Sequence, residues 1–194
     1  MGLHAQVLRL FVAIELDQGS VRRLSTLIER LAPECEGVRW TRAENLHLTV
    51  RFIGPAEPDD VQSLVDQMLQ CTADAPPLDL RIEDVGCFGR GSHVRTIWAG
   101  VNESTGALSE LADQVDRALD RLGFPSEGRR YSPHITLGRV KEDRTRGRIR
   151  EVVESTAFTP FHQPVDDLVL MASRLASRGP TYSVLARAAL DGTE

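Results

Sequence analysis

His47-Leu48-Thr49-Val50 recurs 87 residues later as His134-Ile135-Thr136-Leu137. Both copies read as β-strand. Leu46, Leu48, Val50 and Phe52 alternate with His47, Thr49 and Arg51, and the run His134 to Val140 begins directly after Pro133. Successive strand residues point to opposite faces, so the His and Thr of each copy share one surface while Leu48, Val50, Ile135 and Leu137 turn inward. Five histidines and twelve threonines in 194 residues would yield about 0.3 His-x-Thr triplets by chance. One copy alone would read as a hydrogen-bonded strand histidine; two copies with the same apolar positions carry information.

Outward from these strands the pattern repeats. Val7 to Leu16 reads as a buried strand, Asp17 to Ser20 as a cap and Val21 to Leu31 as an amphipathic helix ended by Pro33. Gly54-Pro55 is expected to stop the first motif strand, and Pro58 to open a helix with Val61, Leu64, Val65, Met68 and Leu69 inward. Leu78 to Ile82, a turn at Gly86 to Gly91 and Val94 to Val101 read as a hairpin. Ser104 is expected to cap a third helix, Leu108 to Leu122, closed by Gly123. Thr145 to Glu154 reads as a short basic helix, and Asp167 to Arg174 with Thr181 to Leu190 as the last strands. Strands and helices therefore come twice in one order with no polar linker between, which implies a single two-lobed α+β domain over residues 1–194.

With 41% hydrophobic and 26% charged residues the chain has a globular composition. Its first apolar run is broken by Arg9 and stopped by Glu15, short of the ~18 residues of a membrane span. No signal peptide or anchor is visible, and Gln6 breaks the myristoylation pattern. A cytoplasmic protein is expected. Cys35, Cys71 and Cys87 are too widely spaced for a disulfide framework or a structural zinc site, and read as reduced, mostly buried thiols.

The net charge of −5 argues against a nucleic-acid partner, but Arg129 to Arg150 holds eight bases against Glu142 and Asp143. This segment flanks the second motif. Its residues 144 to 150 read equally as a track for an RNA backbone or as a solvated helix.

Two imidazoles near ~6.5 in pKa can serve together, one accepting a proton and one donating it. Threonine hydroxyls beside them can donate to the oxygens of an anion, and Arg139 can bring a guanidinium to the same charge. A phosphodiester suits such a surface. A catalytic zinc is poorly served, because neither histidine has a ligand partner at short spacing. No Gly-x-Ser-x-Gly elbow is present, and Cys87 has no histidine motif near it. Among aromatic residues Phe11, Phe88, Trp98 and Tyr182 are candidates to stack a base, Phe11 and Tyr182 foremost, with burial in the core as the competing role. His93 is a weaker contact candidate, and His4 and His162 weaker still.

In these residues the chain resembles the 2H phosphoesterases, and within them the LigT-like RNA 2′,3′-cyclic phosphodiesterases of bacteria and archaea. The likeness spans nearly the whole chain. It includes Arg9 to Ile14, Glu44-Asn45-Leu46, Phe52-Ile53-Gly54, Val85 to Phe88, Ile97 to Gly100, Pro133-His134 with Arg139, and Ser173 to Tyr182. Tyr131-Ser132 stands where the family usually has Phe-Arg, which leaves one substrate contact to Arg129 or Arg130. Gly138 replaces a commoner Ala or Leu.

The resemblance implies a bilobal fold of two antiparallel sheets with outer helices and pseudo-two-fold symmetry, each lobe giving one motif to a central cleft. It also implies metal-independent opening of a 2′,3′-cyclic phosphate at an RNA 3′ end to a 2′-phosphomonoester, with no cofactor. His134 would take the proton from water and His47 would protonate the departing oxygen. Thr49, Thr136 and Arg139 would hold the phosphate, with Phe11, Tyr182 and Arg130 as further contacts. The expected partners are RNA 3′ ends or nucleotides bearing a cyclic phosphate, with no membrane, no obligate protein partner and a monomeric state. The competing readings are a cyclic phosphodiesterase of small nucleotides such as ADP-ribose cyclic phosphate or oligoadenylates, a 2′-5′ RNA ligase, and a non-catalytic RNA- or nucleotide-binding module.

Overall fold

A computed structural model describes residues 7–126, 128, 130–176 and 179–192. The elements run β1 (Leu8–Glu15), α1 (Gln18–Leu31), β2 (Val38–Trp40), a 3₁₀ turn (Ala43–Asn45), β3 (His47–Ala56), α2 (Asp60–Thr72), β4 (Leu78–Arg90), β5 (His93–Asn102), α3 (Ala107–Arg121), β6 (His134–Val140), α4 (Ile149–Ser155), β7 (Phe161–Val165), β8 (Asp167–Ala176) and β9 (Gly179–Ala189).

The strands follow the order β7-β4-β5-β6-β3-β1-β8-β9, with β2 added to β6. Every pairing is antiparallel. This is an α+β fold of two four-stranded halves, β9-β8-β1-β3 and β6-β5-β4-β7. The units β1-α1-β3-α2 and β5-α3-β6-α4 correspond in order, which gives the pseudo-two-fold relation. The two expected sheets are joined into one, and the junction is slight: β3 and β6 meet only at Leu48 opposite Ile135. Both side chains are fully buried. Beyond that pair the strands part, and the cleft opens between them.

The helices put their apolar faces, among them Leu24, Leu27, Leu64, Met68, Leu108, Val115, Ile149 and Val153, into one core shared with the strands of both halves. A smaller cluster of Phe11, Ala13, Val169 and Met171 lies apart, with Tyr182 against it. Among the described residues no helix is long and apolar enough to cross a membrane. Cys35 is buried and Cys71 and Cys87 half-buried, all three free; burial pushes the Cys35 and Cys87 thiols up to about 11.

Several local expectations are corrected. β3 runs through Gly54-Pro55 to Ala56: past Leu48 it pairs with β1 on one side only, and such a strand edge tolerates a proline. β4 runs through the expected turn at Gly86, where a side chain would strike the Trp98 ring, so this glycine serves close packing. Helix α1 begins at Gln18 because Asp17 caps it by accepting from Ser20 N at 2.7 Å. The N-cap of α3 is Gly106 and not Ser104, and the Glu103 carboxylate accepts from Leu108 N in the first turn. Leu69 is 46% exposed. Strands β2 and β7 have no counterpart in the sequence reading.

Truncating the junction should be costly. Leu48→Ala is expected to lower stability by about 2–5 kcal/mol, measured as a shift of the urea unfolding midpoint at unchanged slope.

Candidate active site

The register of the junction decides which side chains meet. With Leu48 opposite Ile135, His47 stands across from Thr136 and His134 across from Thr49, all four on the side away from the core. The pseudo-two-fold passes through the Leu48–Ile135 pair. His47, Thr49, His134, Thr136 and Arg139 line one cavity of about 760 Å³.

Arg139 reaches that cavity because of a bulge. It lies five residues after His134, an odd spacing that strict alternation would send to the opposite face. Ile97 and Trp98 of β5 pair with Gly138 and Thr136, skipping Leu137. The extra residue restores Arg139 to the side of the histidine. The first motif carries the same device, since Val12 and Ala13 of β1 pair with Arg51 and Thr49, skipping Val50. The fourth residue of each motif is thus the surplus residue of a bulge. The position related to Arg139 is Phe52, an aromatic ring 51% exposed on the cavity wall.

Both imidazoles are held alike. His47 Nδ1 donates to the Asn45 carbonyl at 2.8 Å and His134 Nδ1 to the Ser132 carbonyl at 2.8 Å. A carbonyl only accepts, so Nδ1 carries the hydrogen in each ring and Nε2 is left for chemistry. Thr49 Oγ1 lies 3.1 Å from His47 Nε2. The Asn45 amide in turn donates to the Pro180 carbonyl at 2.9 Å, tying the turn before His47 to β9. Tyr131 donates its hydroxyl to the Thr49 carbonyl at 3.1 Å, across the parting strands.

Aromatic rings brace each histidine. Phe11 and Tyr182 lie 5.0 and 5.2 Å from His47, centroid to centroid, and Phe88 lies 4.8 Å from His134 with Trp98 behind it at 5.4 Å. Burial lowers the pKa of His47 below the ordinary imidazole value; the Asn45 hydrogen bond opposes this, and the charges of Arg139 and His134 add to it. Burial likewise raises Tyr182, with Arg139 pulling the other way.

Not every expected contact arrives. Phe11 is 3% exposed and supports His47 from below, so its face is not open to a base. Tyr182 is half-buried at the cavity edge. Arg130 is exposed and does not line the cavity; Arg129 and His4 lie outside the described residues. Arg144 pairs with Glu142 and Glu36, and Arg150 with Glu154 and the Gly89 and Gly91 carbonyls, so residues 144 to 150 do not track the cleft. His93 is exposed away from it, and His162 pairs with Asp79. Sequence reasoning missed Arg39, Arg42 and Lys141, which do line it, and missed the roles of Asn45 and Phe52, although both stood in the quoted flanks of the motif. Among the described residues no group of three His, Cys, Asp or Glu side chains is placed to share a metal ion.

Paired histidine strands at the junction of two equivalent lobes define a class of fold and site, and comparison with known proteins identifies it. The chain belongs to the 2′-5′ RNA ligase superfamily, whose model matches residues 17–176. It is 29% identical over 185 residues to the RNA 2′,3′-cyclic phosphodiesterase of Thermotoga maritima, covering 95% of this chain and 97% of that one. It is 30% identical over 179 residues to that of Archaeoglobus fulgidus, covering 92% and 98%. The crystal structure of Escherichia coli LigT complexed with 3′-AMP superposes with a TM-score of 0.76 at 26% identity, over 95% of this chain and 99% of that one.

The burial of His47 has a measurable consequence. In ¹H–¹⁵N spectra of the free protein its imidazole should titrate below the ordinary ~6.5, and Phe11→Ala, which lets water in, should raise the midpoint toward that value. A His47 midpoint at or above it in the unsubstituted protein would contradict the burial argument.

Proposed function

We propose that the protein hydrolyses 2′,3′-cyclic phosphates at RNA 3′ ends to 2′-phosphomonoesters, through the two histidines and without a metal. The observation that carries this reading is the convergence of two imidazoles with matched tautomers on one cavity, with two threonine hydroxyls and a guanidinium between them. The names of the relatives support the same substrate class.

The cyclic phosphate sits among Thr49, Thr136 and Arg139. His134 Nε2 accepts a proton from the attacking water, and His47 Nε2 gives one to the 3′-oxygen as its bond to phosphorus breaks. The product is a 2′-phosphate with a free 3′-hydroxyl. Arg139 offsets the charge that builds on the phosphoryl oxygens. The exposed ring of Phe52 offers a face for a base.

The lowered pKa of His47 favours its neutral form in the free protein, which would suit the reverse assignment of acid and base. A bound phosphodiester counters this: its charge neutralises Arg139 and favours the imidazolium. The two assignments separate by a leaving-group test. A cyclic phosphate with sulfur at the 3′ position needs little protonation on departure, so it should restore much of the rate to His47→Ala and little to His134→Ala; the opposite pattern exchanges the roles.

Each alanine variant should lose about 10²- to 10⁴-fold in kcat on a cyclic-phosphate dinucleotide, with kcat/KM bell-shaped in pH. Because the acid works only while protonated and burial lowers the His47 pKa, kcat/KM on the alkaline side should lie below what an acid with the ordinary imidazole value would give. EDTA should leave the rate unchanged. Loss of turnover on chelation, or near-normal rates in both variants, would overturn the proposal.

A further inference from the structure

The cavity holds more positive charge than one cyclic phosphate needs. Its described lining includes Arg9, Arg39, Arg42, Arg51, Arg139 and Lys141 and no Asp or Glu, in a chain whose acids outnumber its bases, 28 against 23. Arg51 is spoken for: buried, it pairs with Asp116 and donates to the Phe124 and Pro125 carbonyls at 3.1 and 2.8 Å. Arg139 belongs to the reacting phosphate. Arg9 lies apart on β1, opposite Pro55 and Ser173, while Arg39, Arg42 and Lys141 line the cavity on and beside β2, which lies along the last residues of β6.

Their arrangement is specific. Arg39 is the Cα partner of Arg139 across the β2–β6 ladder. Like charges directly opposite on one sheet face destabilise the pairing, and both line the cavity. Lys141, the chain's one lysine, is two residues past Arg139, just beyond the end of β6. A Cβ placed at Gly179 would fall 2.5 Å from Arg39 Nη2 and 3.6 Å from Arg42 Nη2, so both guanidinium groups close on one stretch of backbone that carries no side chain. Arg42 also pairs with Glu44 at 3.2 Å. A like-charged pair and a row of cations leading away from it fit a second anion held one step from the first.

Resting on the hydrolysis proposed above, we infer that Arg39, Arg42 and Lys141 form a second phosphate site, which takes the phosphodiester joining the terminal nucleotide to its 5′ neighbour. The preferred substrate is then an oligonucleotide end and not a lone nucleoside cyclic phosphate.

Three substrates test this with the full chain: a nucleoside 2′,3′-cyclic phosphate, the dinucleotide ending in the same group, and that dinucleotide with an uncharged methylphosphonate linkage. The charged dinucleotide should exceed the other two by about tenfold or more in kcat/KM, a difference of about one good ionic contact. The advantage should lie in KM. In Arg39→Gln and Lys141→Gln the ratio of charged to methylphosphonate dinucleotide should fall toward one, and the slope of log KM against log salt should drop by about 0.7 per contact removed. Equal turnover of charged and neutral dinucleotides by the unsubstituted protein, or an unchanged ratio in both variants, would overturn the second site while leaving the hydrolysis standing. Turnover of none of the three would instead sink the hydrolysis.

Discussion

A single backbone pairing holds the candidate site together. Leu48 and Ile135 are the one ladder pair between β3 and β6, and both are packed without exposure. Because a strand presents its neighbours to the opposite face, fixing these two apolar residues in the core fixes His47, Thr49, His134 and Thr136 over the cleft. A longer ladder would bring the strands together and close the space between them. No pairing at all would leave two lobes with no common register. The geometry of the cleft is therefore a compromise between cohesion of the sheet and room for a ligand.

The polar face of that junction depends on irregular backbone as much as on the motif. Each motif ends in a bulged residue, Val50 in one lobe and Leu137 in the other. The shift lets a residue three places after the threonine look into the cavity, and the lobes use the position differently: one supplies the Arg139 guanidinium, the other the Phe52 ring. Equivalent backbones thus carry unlike side chains toward one cavity, a charge on one side and an aromatic face on the other.

Much of this was legible in the chain. The repeated motif located the two strands, their common face and the imidazole pair, because period-two alternation is a local property that survives in almost any β context. The α+β class and the doubled order followed from helical and strand periods. What could not be read depended on contacts distant in sequence. β2 has three residues, too few to show alternation, and β7 carries Pro164, which edge strands tolerate. Gly86 looked like a turn signal but accommodates Trp98. Phe11 and Phe52 are both aromatic strand residues near the motif, and only the pairing and bulges of β1 with β3 decide that the first is buried and the second exposed. The end of the basic run, residues 144 to 150, misled in the same way: linear charge density ignores the carboxylates and carbonyls that occupy Arg144 and Arg150, while Arg39 and Arg42, a hundred residues earlier, line the cleft.

The matched anchoring of the two imidazoles carries a stereochemical corollary. Two groups related by a dyad flank a shared centre from its two sides, and on the proposed mechanism water would enter beside one ring while the 3′-oxygen leaves beside the other. A phosphorus labelled with distinguishable oxygens would pass through such a frame with its handedness reversed.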